Sequence, residues 1–333
     1  MPKDRVTIHE VAGRAGVSVA TASRALSGRR KVTPSIAQQV RKAAKELGYR
    51  PNAVAQALRD QVTKTVGMVV PGISNPFFTA MVEAVEHRLQ SSGRHLLLCD
   101  SQYDPDIEAG RLGALIERQV DGLIISPCDM VRSGPAVREA VRRVPLVQID
   151  RYIEGSVSDW VGVDDDAALS LAVTHLVAAG AQSLAFVSSE LTNSSARLRL
   201  AGFERAARTA GAEVRGTLLG AFTIEWGFEA AERLARDGLP DGIVCANDEI
   251  ALGLLRRLRS MDVKVPEEVM VTGFDDTGYA AIFDPPLTTI RQPCEQLAED
   301  ALRLLDEARA ARSRPPRRIA ITPQLVVRAT TRA

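Results

Sequence analysis

Four polar residues of complementary type fall where runs of strand-like sequence end. Asp150 closes PLVQID (145–150), Asn247 closes GIVCAN (242–247), and Asp275 follows VMVTGF (269–274). Arg199 lies in SSELTNSSARLRLAGF, the stretch after SLAFVS (183–188). Carboxylates and amides share hydrogen bonds with vicinal hydroxyls, and a planar guanidinium donates several at once. Such a set suits a neutral polyhydroxy ligand, with Phe77, Phe222 or Trp226 available to stack on an apolar sugar face. Each residue also has a plainer role: Asp164, Asp248 and Asp275 each precede a helical stretch and could cap it. The convergence of four groups favours a site.

Other chemistries lack their residues. His175 stands at helical spacing from Leu171 and Ala178 and reads as a packed helix histidine. The acidic run Asp164-Asp165-Asp166 points its carboxylates in different directions on a helix and is a poor metal cage. No GxGxxG or glycine-rich phosphate loop occurs, and no Ser/His/Asp or Cys/His pairing stands out. The expectation is a protein without cofactor, metal or catalytic residues, and not an enzyme.

A second chemistry sits near the start, in GVSVATASRAL (16–26). Thr7-Ile8-His9-Glu10 has capping-box form, Gly16 stops the helix that follows, and Ser18 can cap the next. Helix, glycine turn and short helix make the helix-turn-helix pattern. Ala22, Ala25 and Leu26 are expected to face the first helix, with Val19, Ala20, Ser23 and Arg24 facing out. Small outward residues let a helix backbone lie deep in the major groove, where Arg24 can reach a guanine edge with two hydrogen bonds. Thr21 and Ser23 suit phosphate oxygens. Arg29, Arg30, Lys31, Arg41, Lys42 and Lys45 cluster nearby. A third helix runs from Pro34 to about Leu47, ended by Gly48.

The elements must hold these two sites apart. Residues 1–64 carry 13 Lys/Arg against 4 Asp/Glu, and the remainder 29 against 37, although the whole chain is only +1. A basic head on an acidic body is the footprint of a nucleic-acid-binding module joined to another domain. PNAVAQAL (51–58) is too short to be a stable helix alone and reads as a linker that folds on binding. From Thr65, seven short apolar runs alternate with amphipathic helices: 65–70, 95–100, 120–126, 145–150, 183–188, 242–247 and 269–274. That alternation predicts doubly wound parallel sheets in two α/β lobes. No apolar run is long enough to cross a membrane, MPKDRVTIHE lacks a secretory core, and four scattered cysteines fit a reducing cytoplasm.

Taken together, VTIHEVAGRAGVSVATASRAL, LGYRPNAVAQAL, SNPFF, SSARLRLAGF, ANDEIALG and VTGFDDTGYAAIFDPPLTTIRQP resemble the lactose-repressor (LacI/GalR) family of bacterial transcription regulators, over about residues 6–331. The resemblance implies a helix-turn-helix head (1–50), a hinge helix and linker (51–64), and a two-lobed sensor like a periplasmic sugar-binding protein (65–333). Its first lobe would span about 65–163 and 292–321, its second about 164–291 and 322–333. It places Val19, Ala20 and Arg24 where the family reads bases, and Ala55 and Leu58 where the minor groove is entered, Leu58 as the intercalating wedge. Lys31 and Asn52 complete the expected DNA-binding set. It places Asp150, Arg199, Phe222, Asn247 and Asp275 at effector-contacting positions, with Phe77 beside them and Gln292 at a lobe crossover that also touches ligand. Ala20 stands where the family's namesake carries a longer polar reader, and Cys294 where it carries an aromatic. The expected protein is a cytoplasmic repressor, a homodimer without a leucine-heptad tail, released from a palindromic operator by a sugar. Alternatives are a corepressor-dependent regulator with a purine-like ligand, and a carbohydrate-acting enzyme with a basic head.

Overall fold

The computed structural model describes residues 6–27, 32–49, 62–155, 157–311 and 314–332, in two compact units, Met1–Thr63 and Lys64–Ala333. The hinge stretch 51–58 and the candidates Lys31, Asn52, Ala55 and Leu58 lie outside the described residues.

The first unit holds α1 (Ile8–Arg14), α2 (Val19–Ser27) and α3 (Pro34–Glu46). Its entry is the predicted capping box. The Thr7 hydroxyl accepts the Glu10 N–H at 3.4 Å, and the Glu10 carboxylate accepts the Thr7 N–H at 2.6 Å. Two helix-end donors are thereby satisfied. Gly16 turns the chain at φ 62°, a conformation that carries a Cβ penalty in other residues. The core beneath is built from small residues, Ala12, Ala15, Ala22, Ala25, Ala43 and Ala44 around Val11 and Val40.

The second unit contains two six-stranded sheets. The first combines β1 (Thr65–Val70), β2 (His95–Asp100), β3 (Gly122–Ile125), β4 (Leu146–Ile149), β5 (Asp159–Val163) and β11 (Arg318–Ile321), in the order β11-β5-β4-β3-β1-β2. Its helices are α4 (Pro76–Ser91), α5 (Pro105–Glu117), α6 (Gly134–Arg143) and α11 (Cys294–Ala310). The second sheet combines β6 (Ser183–Ser189), β7 (Glu213–Gly220), β8 (Gly242–Cys245), β9 (Met270–Asp275), β10 (Thr288–Arg291) and β12 (Gln324–Val326), in the order β12-β10-β9-β8-β6-β7. It is wrapped by α7 (Asp165–Ala178), α8 (Ser194–Ala210), α9 (Ile224–Asp237) and α10 (Asp248–Ser260). Among the described residues every strand pair is parallel except β10 with β12. The chain passes between the lobes between β5 and α7, between β10 and α11, and between β11 and β12.

Strands β5, β7, β10, β11 and β12 were not among the seven apolar runs. β7 is an edge strand with mostly exposed residues, and β10, β11 and β12 are three or four residues long. Of the three aspartates read as possible caps, one caps its helix. Asp164 caps α7, accepting the Ala167 N–H at 3.0 Å. Asn247, not Asp248, caps α10, accepting the Ile250 N–H at 2.9 Å. Asp275 caps no helix: it ends β9 and precedes turns.

The second lobe depends on one close helix crossing. A Cβ on Gly227 of α9 would lie 2.0 Å from the Ile250 carbonyl oxygen, and one on Gly253 of α10 would lie 1.8 Å from the Ile224 carbonyl oxygen. The two helices therefore meet backbone to backbone, Ile224 against Gly253 and Gly227 against Ile250. Gly253→Ala should force them apart and destabilise the second unit by about 1–3 kcal/mol, the usual range for overpacking, measurable by urea unfolding. Burial first, then Glu225 and Asp248, push the half-buried Glu249 carboxyl up to about 7. A folded pKa above the unfolded one gives a contribution fully present below about pH 4.5 and lost as pH rises through about 7. Glu249→Gln should therefore flatten the fall in melting temperature over that window, and an unchanged fall refutes the assignment.

Candidate ligand site and nucleic-acid interface

In the first unit, α2 presents Ala20 and Arg24 as exposed residues, with Thr21 and Ser23 half-buried. Val19 departs from expectation: it is half-buried and packs on the head core rather than facing out. It opens the helix just past the turn, close to that small-residue core. Leu26 packs on the same core, as expected. The Ser18 hydroxyl accepts the Thr21 N–H at 3.2 Å and lies 2.9 Å from the Thr21 hydroxyl. Arg24 Nε donates to the Ala20 carbonyl at 3.1 Å, which leads its stem back along the helix. Arg14 pairs with Glu46 at 3.1 Å between α1 and α3.

In the second unit, strand ends of both lobes meet at a cleft. Six of the seven sensor candidates, Phe77, Asp150, Arg199, Phe222, Asn247 and Asp275, line one nearly closed cavity there, of about 10 Å³. Gln292, the seventh, stands behind it and donates to Asp275 Oδ1 at 2.7 Å. Four lining residues were missed as candidates: Asn75, Phe78, Arg151 and Ser195. Each is adjacent or close in sequence to a quoted motif, since Asn75 and Phe78 belong to SNPFF, Ser195 to SSARLRLAGF, and Arg151 follows Asp150. Trp226 is not a stacking wall. Its ring packs in the core of the second lobe, and its indole donates to the Ser188 carbonyl at 2.9 Å.

Arg199 organises the second-lobe side. It projects from the second turn of α8, whose N-cap Asn193 accepts the Ala196 N–H at 2.9 Å. Its guanidinium donates to Asp165 at 2.9 Å and to the Ala246 carbonyl at 2.7 Å, and lies 3.6 Å from the Phe274 ring centroid. Asp150, from the other lobe, is 3.9 Å away. Burial opposes the arginine's charge, but Asp165, Asp275 and Asp150 outweigh it and raise its pKa. Burial also pushes the Asp165 carboxyl up to about 6 against the pull of Arg199, and holds the Asp275 carboxyl well above the usual carboxylate range.

Arg151 organises the other side. Its guanidinium lies 5.5 Å from the ring centroids of Phe78 and Phe222 and 6.0 Å from that of Tyr103. The residue is 4% exposed, its Nε has no hydrogen-bond partner among the described residues, and Asp150 is 3.6 Å off. A buried cation with an unmade hydrogen bond is costly, so the cavity is short of one acceptor. Backbone shape aims the carboxylates: Asp150 has φ 60° and Asp275 φ 111°, both in the left-handed region. Such conformations cost about 1–3 kcal/mol each and cluster at functional sites.

The lobes are closed on each other. The Met130 N–H donates to the Thr192 carbonyl at 2.8 Å, the Tyr152 N–H to the Ser194 hydroxyl at 3.0 Å, and the Ser195 hydroxyl to Asp150 at 3.4 Å. Outside the cavity, His175 behaves as a packed helix histidine, 2.8 Å from the Thr331 hydroxyl. Among the described residues no cluster of three or more His, Cys, Asp or Glu is arranged to hold a metal, and no helix is long and apolar enough to cross a membrane.

Comparison with known proteins agrees with this division. Residues 7–52 match the model of bacterial regulatory proteins of the lacI family, and residues 173–331 match the periplasmic binding protein-like domain. The HTH-type transcriptional repressor PurR of Mannheimia succiniciproducens is 34% identical, with 97% of each chain covered. The structure of the lac repressor dimer bound to operator and the anti-inducer ONPF superposes with a TM-score of 0.90 at 27% identity, covering 99% of this chain and 100% of that one. A LacI family transcriptional regulator from Enterococcus faecium, solved with bound ribose, gives 0.71 at 27% identity over 80% of this chain and 98% of the other. The chain belongs to the lacI family of bacterial regulatory proteins, DNA-binding transcriptional regulators with a helix-turn-helix head and a two-lobed sensor, rather than to a family of enzymes.

Proposed function

We propose that the chain is a repressor that leaves a near-palindromic operator when a neutral monosaccharide fills the cleft of its sensor. The observation that carries this reading is one small cavity closed by polar groups of both lobes, Asp150 and Arg151 facing Arg199, Asn247 and Asp275. With the lobes closed the cavity holds about 10 Å³, room for about one water molecule, so a ligand enters only as the lobes part. The charges favour a neutral molecule. Arg199 is balanced by Asp165 and Arg151 by Asp150, while burial holds the Asp275 carboxyl up and disfavours its charge. A ring oxygen or hydroxyl would supply the acceptor that Arg151 Nε lacks, and Phe77, Phe78 and Phe222 offer apolar faces. The bound ribose of the Enterococcus faecium relative supports this class.

In this reading residues 1–50 form the reading head, 51–64 the hinge and 65–333 the sensor and dimerisation domain, working as a cytoplasmic homodimer. On DNA, Ala20 and Arg24 face base edges beside the part of Val19 that the head core leaves uncovered, Thr21, Ser23, Lys31 and Asn52 face the backbone, and Ala55 and Leu58 the minor groove. Two-fold symmetry of the protein then requires two-fold symmetry of the operator. Sugar binding biases the lobes about their three crossovers, and the hinge segments lose the order that DNA had stabilised. A coupling of about 1–3 kcal/mol is enough for such a response.

A thermal-shift screen against neutral monosaccharides tests the sensor. One or more should raise the melting temperature of the intact protein and lower its affinity for operator selected from a random DNA pool. Stabilisation only by purines, or turnover of the sugar, overturns the reading. Arg199→Leu should abolish both effects while operator binding persists, and a retained response to the same sugar removes Arg199 from the site. Arg24→Ala should weaken operator binding by about 1–3 kcal/mol and leave sugar binding untouched. Equal weakening on random DNA marks it as a phosphate contact.

A further inference from the structure

Asp150 is held by more than its position at a strand end. The Arg151 N–H donates back to the Ile149 carbonyl at 2.6 Å across Asp150, whose φ is 60°. This is a γ-turn of the rare, strained positive-φ form. Both backbone polar groups of Asp150 are tied to the neighbouring strand β5. Its N–H donates to the Val161 carbonyl at 2.8 Å, and its carbonyl accepts the indole N–H of Trp160 at 3.1 Å. The peptide planes on either side of the strained residue are thereby anchored, so neither can rotate freely to relax it.

The indole is itself anchored. It is 5% exposed, and its six-membered ring covers the backbone of Gly162, where a Cβ would lie 2.1 Å from Cζ2. Tyr152 meets it edge to face at 5.5 Å. The Arg318 guanidinium lies over both rings, 4.5 Å from Trp160 and 4.0 Å from Tyr152. Arg318 belongs to β11, the strand after which the chain crosses to the second lobe, and the Tyr152 N–H is bound to Ser194 of that lobe. We propose that Trp160 is a positioning residue for the ligand site: its indole N–H holds Asp150 in the left-handed turn that keeps the carboxylate in the cleft, facing Ser195 and Arg199. Trp160 lies outside the cavity lining, so it acts through Asp150 and not by touching the ligand.

The ligand arm of the test rests on the monosaccharide reading above; the structural arm does not. Trp160→Phe keeps an aromatic ring and removes the donor. If that variant fails to fold, site-specific replacement of Trp160 by β-(3-benzothienyl)alanine keeps the bicyclic shape without the N–H. In a crystal structure of the unliganded variant, residue 150 should leave positive φ and its carboxylate should move from Ser195. By calorimetry, the monosaccharide selected by the wild-type protein should bind about three- to tenfold more weakly, the worth of one hydrogen bond. Operator affinity without sugar should stay unchanged, which a general loss of structure would not allow. Unmoved Asp150 geometry overturns the proposal, as does unchanged sugar affinity. If no monosaccharide binds the wild-type protein, the sugar reading fails, and the conformation of residue 150 still decides the role of Trp160.

Discussion

A guanidinium cut off from water dominates the sensor. Arg199 is 4% exposed, and a charge in that position persists only if oppositely charged and hydrogen-bonding groups surround it. Its partners come from separated parts of the chain: Asp165 at the start of α7, the Ala246 carbonyl after β8, the Phe274 ring of β9, and Asp150 of the opposite lobe. Meeting that requirement brings several strand ends to one point. The Asp165 and Ala246 contacts act within the second lobe, while the weaker approach of Asp150 acts between lobes. The rigid and the movable parts of the site are thus set by the same residue.

Arg151 is the counterpart on the first lobe, and its situation is different. It has an aromatic surround and one carboxylate at a distance, with one donor unmade. A site satisfied on one side and short of an acceptor on the other can take a ligand that brings an acceptor atom. Hydrogen bonds across the cleft, such as Tyr152 to Ser194, keep the lobes together around it. The strained turns at Asp150 and Asp275 are sustained because the surrounding structure leaves those residues no easier conformation.

Much of the site was legible before any coordinates. Ligands in doubly wound sheets lie beyond the carboxyl ends of strands, so reading the residues after each apolar run reached Asp150, Asn247 and Asp275. The same procedure passed over Arg151, because a single arginine beside an acid reads as a surface pair until its burial is known. Trp226 illustrates the reverse error. Its type and place in the chain suit stacking, but α9 turns its ring into the core. Strand β7 was invisible because an edge strand open to solvent needs no apolar alternation, and β10, β11 and β12 are too short to show a period. In the head, Val19 reads as outward by helical spacing, yet the small alanines of the core leave room for it to pack inward.

The sequence alone determined local matters, where one residue and its near neighbours decide. The Thr7–Glu10 capping box, the Gly16 turn, the alternation of strands and helices and the contrast between a basic head and an acidic body all belong to contiguous stretches. Tertiary structure decided whatever depends on burial and on separated segments meeting. It left Arg151 with an unmade bond, and placed the Trp160 indole on the Asp150 carbonyl. It let α9 and α10 touch at Gly227 and Gly253, and made Asn247 the cap where Asp248 also qualified by type. The reason is physical: propensity and capping act over a few residues, whereas desolvation and the direction of a hydrogen bond exist only once the chain has closed around them.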